Sequence, residues 1–138
     1  MVSQVPLQVF TDGACKGNPG SMGAGIIIVD PTNEIHTISL SQFLGKGTNN
    51  IAELTAIKIG LELSSVYDRP IQLFTDSKYS INVLTRFNAF KNKALIAEIK
   101  QMMTKHKYGV TLNYIKGHHT NPYNNQADRL ASTAANGG

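Results

Sequence analysis

Hydrophobic and polar positions follow two periods along this chain. Alternating or short β-branched apolar runs fall at residues 7–11, 24–29, 34–44, 71–75 and 111–115 and predict strands. A period of three to four places Leu54, Ile57 and Leu61, with Ala56 and Ile59 less regularly, on one side of a helix over 51–65. The same period fits a segment after Ser77 carrying Tyr79, Val83, Leu84 and Phe87, and a helix over 93–106 carrying Leu95, Ile99, Met102 and Met103. A last helix is expected over 124–135. Thr48-Asn49-Asn50 and Ser77 supply capping oxygens at two helix starts. The glycine-rich run from Asp12 to Gly20 is expected to stop the first strand, and Asp30-Pro31-Thr32-Asn33 to turn the second back on the third. The order βββαβααβα predicts an α/β protein, one mixed sheet with helices packed on it, and excludes a helical bundle or a sandwich.

Composition narrows this. A chain of 138 residues, 41% of them apolar, suits one domain spanning 1–138 with a core of its own. Thirteen Lys and Arg against nine Asp and Glu give +4, which permits a polyanionic partner without demanding one. Cys15 is the only cysteine, so an intrachain disulfide and a Cys-based zinc site are excluded; it is expected as a small, partly buried turn residue in a reducing compartment. The first four residues show no basic region leading into an apolar one, and the longest apolar stretch, 24–29, is far short of a membrane span. A soluble cytoplasmic protein is expected, monomeric, with no membrane partner and no protein partner to infer.

The acids carry the chemistry. Pro6-Leu7-Gln8-Val9-Phe10-Thr11-Asp12 and Pro70-Ile71-Gln72-Leu73-Phe74-Thr75-Asp76 echo each other, each a strand leading to an aspartate. If those strands are parallel neighbours, both carboxylates emerge at the carboxyl edge of the sheet, where open α/β sheets bind ligands. Taken singly, Asp12 also fits a turn aspartate, Asp76 a helix-start residue, Glu53 a capping-box partner of Asn50, and Asp128 an acid near a helix start. Together, four carboxylates without Cys or paired His suit a hard divalent cation, Mg²⁺ or Mn²⁺, better than zinc. Gly45-Lys46-Gly47-Thr48 lacks the spacing of a Walker loop, and no dinucleotide fingerprint follows a strand. His118, after the last predicted strand, fits a solvated loop residue or a proton-handling one.

Six motifs in order resemble type 1 ribonuclease H: Thr11-Asp12-Gly13 with Gly17-Asn18-Pro19-Gly20, Thr48-Asn49-Asn50, Glu53-Leu54, Thr75-Asp76-Ser77, Lys116-Gly117-His118, and Asn125 with Asp128 and Leu130-Ala131. The resemblance covers nearly the whole chain. It implies a ribonuclease H-like fold, a five-stranded mixed sheet with helices on both faces. The activity it implies is endonucleolytic hydrolysis of the RNA strand of an RNA/DNA hybrid by two-metal-ion catalysis, leaving 5′-phosphate and 3′-hydroxyl ends. Carried over residue by residue, it makes Asp12, Glu53, Asp76 and Asp128 the catalytic metal ligands for two Mg²⁺, with Mn²⁺ as a substitute. Asp12 would bridge the ions, Asp128 would help hold the one beside the nucleophile, and Glu53 and Asp76 the one beside the leaving group. His118 matches a histidine that assists proton transfer or product departure. Asn18, Asn49 and Asn50 match contacts to the hybrid's minor groove, and Thr48 a contributor to a DNA-phosphate pocket.

This chain departs from the pattern in two places. Many bacterial members carry a basic, tryptophan-containing protrusion; here residues 86–107 are compact and hold no Trp, with Lys91, Lys93, Lys100, Lys105 and Lys107 as the remaining lysines. Lys78 stands where some relatives have glutamine. A non-catalytic nucleic-acid module on the same fold does not need a self-repelling acid cluster. An actin-like phosphotransferase needs a second lobe that the chain lacks, and transposase-like or integrase-like relatives fit Asn18 and Thr48 to Asn50 less well.

Overall fold

The computed structural model describes residues 5–32, 35–86, 89–116 and 121–137. Its elements are β1 (Leu7–Lys16), β2 (Gly20–Asp30), β3 (Ile35–Gly47), α1 (Asn49–Ser64), β4 (Ile71–Thr75), α2 (Lys78–Thr85), α3 (Lys93–Lys105), β5 (Val110–Tyr114) and α4 (Pro122–Gly137). The order is the predicted one. The strands form one sheet in the order β3-β2-β1-β4-β5, with the β1–β2 and β2–β3 pairs antiparallel and the β1–β4 and β4–β5 pairs parallel. This is the five-stranded mixed sheet that the motifs implied.

Both faces of the sheet are covered, and strand alternation divides the side chains between them. Leu7, Val9, Ile26 and Ile28 point to one face, beneath α1, α2 and α3, with Leu54, Ile57, Leu61 and Ile99 in the same core. Phe10, Ile27 and Val29 point to the other face and pack with Ala127 of α4. There Phe10 stacks on Phe74 at 4.8 Å between ring centroids and meets Tyr123 at 5.3 Å. Phe87, expected on the apolar side of α2, lies outside the described residues.

The first strand corrects the sequence expectation. Its glycines do not stop it at residue 11, because β2 pairs with it along the whole run, from Gln8 opposite Val29 to Lys16 opposite Ser21. Cross-strand hydrogen bonding outweighs a composition that reads locally as a turn. The β1–β4 register sets Phe10 beside Phe74, so Asp12 and Asp76 each lie two residues further toward the same edge. At the far edge Arg69 clamps the Asp30 carboxylate through two nitrogens at 2.6 and 3.0 Å and donates from Nε to the Val5 carbonyl at 2.8 Å. These hydrogen bonds from Arg69, with those from Thr32, hold the Asp30 carboxyl well below the usual carboxylate range.

Candidate active site

Three elements deliver three acids to one point. Asp12 comes from within β1, opposite Gly25; Asp76 directly follows β4; Glu53 stands about one turn into α1. One oxygen from each carboxyl lies within 4.8 Å of the other two. Asp12 is 5% and Glu53 8% exposed. The Gly13 N–H donates to Glu53 Oε1 at 2.7 Å. The capping-box alternative for Glu53 therefore fails: Thr48 caps α1, its hydroxyl accepting from the Ile51 N–H at 3.2 Å, and Glu53 reaches across to β1. That reach needs α1 close against β1, and Gly13 allows it, since a Cβ there would lie 2.3 Å from the Ala52 carbonyl carbon.

Asp128 approaches from α4 on the opposite face of the sheet and hydrogen-bonds the Asp12 carboxyl, a bond between two acids that requires a shared proton. Burial, then the Glu53 charge, then this bond to Asp128, with smaller contributions from the Asp76 and Asp128 charges, push Asp12 up to about 10. Burial and the Asp76 charge raise Glu53 to about 8, opposed by the Gly13 N–H. Among the described residues the ion pairs are Lys58–Glu98 and Arg69–Asp30, so no lysine or arginine neutralises the cluster. Converging carboxylates, two of them buried, Asp76 half-buried and Asp128 exposed, with no cationic partner among the described residues, fit a hard divalent cation, and the donor set is all oxygen.

The acids line a cavity of about 310 Å³ together with Asn49, Asn124 and Cys15. Cys15 is partly buried as expected, but it belongs to β1 and not to a turn; its thiol donates to the Gly17 carbonyl at 2.7 Å. Asn124, 4% exposed, had no place in the sequence reading. Its signal was available: it precedes Asp128 by four residues and so shares its side of α4.

A second groove, about 740 Å³, is lined by Asn18, Thr48, Asn49 and Asn50 together, and Asn49 lines both cavities. The Asn49 N–H donates to Asn18 Oδ1 at 3.1 Å. The groove also takes in Tyr79, Lys91 and Asn92. Tyr79, expected on an apolar helix face, also accepts through its hydroxyl from Asn92 Nδ2 at 3.1 Å. Asn92 precedes α3 in a left-handed conformation, φ 62°, which asparagine tolerates better than most residues. His118 lies outside the described residues.

A family model described as RNase H matches residues 4–136. The chain is 36% identical over 143 residues to a ribonuclease H of Erythrobacter litoralis strain HTCC2594, covering 94% of this chain and 95% of that one. It is 34% identical over 144 residues to a ribonuclease H of Trichodesmium erythraeum strain IMS101, covering 94% and 88%. Among solved structures it is similar to the RNase H1 of the halophilic archaeon Halobacterium salinarum NRC-1, with a TM-score of 0.84 at 23% identity over 96% of this chain and 99% of that one. LC11-RNase H1, solved in complex with an RNA/DNA hybrid, gives a TM-score of 0.81 at 24% identity over 95% and 97%. At these identities the structural likeness establishes the fold.

Proposed function

The chain belongs to the ribonuclease H family, and from that membership we propose that it is a metal-dependent endoribonuclease that hydrolyses the RNA strand of RNA/DNA hybrids, leaving 5′-phosphate and 3′-hydroxyl ends. The observation that carries this reading is the cluster of Asp12, Glu53 and Asp76, the first two buried and the third half-buried, without a cationic partner among the described residues and beside a groove lined by Asn18, Thr48, Asn49 and Asn50. Residues 1–138 act as one ribonuclease H domain, as a monomer in the cytoplasm. No described helix is long and apolar enough to cross a membrane.

Asp12, Glu53, Asp76 and Asp128 are the residues that would hold two Mg²⁺ ions, or Mn²⁺ in their place. Bound ions supply activation of the attacking water and stabilisation of the departing oxygen in an in-line displacement. The chain's own residues do the rest. Gly13 fixes one Glu53 oxygen, so the glutamate meets the site in a set orientation. Asp128 meets Asp12 from α4, which brings a fourth carboxylate to the same cavity. Asparagines both donate and accept, which suits the 2′-hydroxyls and base edges of a wide minor groove and separates an RNA strand from a DNA strand. Thr48 contributes to holding a phosphate of the DNA strand, and His118 assists proton transfer or product departure.

The test is cleavage of an end-labelled RNA/DNA hybrid with Mg²⁺ or Mn²⁺, beside single-stranded RNA, duplex DNA and duplex RNA. Metal-dependent cutting of the hybrid's RNA strand is expected, with Asp12→Asn inactive. An uncut hybrid, or one cut equally well by Asp12→Asn, overturns the reading.

A further inference from the structure

Charge is distributed unevenly along this chain. Residues 77–127 hold eight Lys and Arg against one acid, Glu98, a formal +7, whereas the rest of the chain holds five against eight, a formal −3. Glu98 itself is paired with Lys58 at 3.1 Å, so it offsets none of the cations of that region. Within that region α2 separates two grooves. Tyr79 and Val83 face the groove of the asparagines, whereas Lys78, Asn82 and Arg86 face a separate groove of about 340 Å³ against Leu112 and Tyr114 of β5. No acid lines this second groove. Lys78 holds its ammonium 5.4 Å from the centre of the Tyr114 ring, and Tyr114 remains 46% exposed. Among the described residues neither Lys78 nor Arg86 has an ion pair.

The groove is continuous with the acid cluster along the chain, because Lys78 follows Asp76 by two residues. From Lys78 to Arg86 the helix rises about 12 Å, so the two cations mark out a track leading away from the acids. Resting on proposed hybrid cleavage, the strand that enters this track is the one whose phosphate lies at the acids. We propose that the α2–β5 groove is a second nucleic-acid contact: it holds backbone phosphates of the RNA strand beyond the cleavage point, through Lys78 and Arg86, on the side of α2 away from the asparagine groove. Lys78 braced on an aromatic ring gives up less side-chain freedom on meeting a phosphate than an unsupported lysine.

Binding of a 12-base-pair RNA/DNA hybrid, with and without a three-nucleotide RNA tail at either end, tests this by fluorescence anisotropy in an Asp12→Asn background. A tail at one end is expected to tighten binding at least fivefold, and Lys78→Glu with Arg86→Glu to abolish that gain. The slope of log affinity against log salt should fall in magnitude by about 1.4 to 1.8 in the double variant, the amount expected for two lost phosphate contacts. Lys105→Glu with Lys107→Glu makes the same charge change beyond the other end of the sheet and should keep the tail gain. A double variant that retains the gain, or a Lys105/Lys107 control that loses as much, overturns the proposal. If the glutamates prevent folding, Lys78→Gln with Arg86→Gln decides by the same tail gain. Cleavage of the untailed hybrid by the unmutated protein is scored separately, so a failure of the nuclease reading is distinguishable from a failure of the groove.

Discussion

Asp12 is where fold and chemistry pull against each other. Its carboxyl is buried and faces three others, so the metal-free fold favours the protonated form. The folded pKa, about 10, exceeds an unfolded value of about 3.9. The stability carried by that proton is therefore complete below about pH 4 and is lost as pH rises toward 10. Glu53, raised to about 8, acts with the same sign over a narrower window. The melting temperature of the metal-free protein, followed by calorimetry in chelator, should therefore fall from pH 5 to pH 9. Asp12→Asn should flatten that fall and raise the midpoint at pH 8 by about 3–10 °C, corresponding to roughly 1–3 kcal/mol, while abolishing cleavage. An Asn variant that melts no higher than the parent at pH 8 would show that the burial of this charge is relieved in another way. Protons and metal compete for the same oxygens, so the midpoint gain from Mg²⁺ should be larger at pH 8 than at pH 6. Glu53→Gln separates two roles, because a glutamine oxygen can still accept from the Gly13 N–H. It should fold with a midpoint no lower than the parent's and lose at least a hundredfold in cleavage rate, whereas Glu53→Ala should lose stability as well.

The elements owe their placement to close approaches that a hydrophobic pattern does not reveal. A Cβ on Gly25 would lie 2.1 Å from the Ala127 carbonyl oxygen, and one on Gly23 would lie 2.3 Å from that of Ala131, so β2 admits the α4 backbone at a distance no other residue permits. Gly25→Ala should thus push α4 outward and cost about 2–4 kcal/mol in urea unfolding. Asp128 rides on the same helix one residue after Ala127, so the variant that still folds should lose cleavage more than its stability deficit explains; full activity in the folded fraction would contradict this. The same elements mark what could be read from the sequence. The order of strands and helices, and the matching aspartates of two similar strands, were readable because each rests on local periodicity or repeated spacing. The extent of β1 was not, because its glycines look like a turn until β2 is paired with them. Nor was the start of α4 at Pro122, although Asn121 accepts from the Tyr123 and Asn124 N–H groups and proline suits a first helical position. Glu53 was ambiguous for a related reason: a capping box and a bond to another strand present the same residue at the same spacing, and only the tertiary contact with Gly13 decides between them.

At the scale of the whole molecule, the net +4 conceals a −3 part that holds the acid cluster and a +7 part that holds α2, α3 and β5. Four of the eight acids in the negative part are Asp12, Glu53, Asp76 and Asp128. Two divalent cations at those four would take that part from −3 to +1 and the chain from +4 to +8. If the proposed function holds, the charge opposing a phosphate backbone is concentrated where that backbone would be cut, and metal occupancy should control binding as well as chemistry. Hybrid affinity measured by anisotropy should be at least tenfold weaker in chelator than with Ca²⁺ in place of Mg²⁺, with the deficit shrinking as salt rises and screens the bare acids. With the divalent ion present, two to four neutralised phosphates predict an affinity loss of about 10- to 150-fold between 50 and 200 mM salt. The two effects separate cleanly in Asp76→Asn, which removes one of the charges that the metal-free cluster carries and touches no lysine. Its chelator deficit should be smaller than the parent's at low salt, while its salt slope with the divalent ion present should stay within the same range. A chelator deficit unchanged by that substitution would place the opposing charge elsewhere than at the acid cluster.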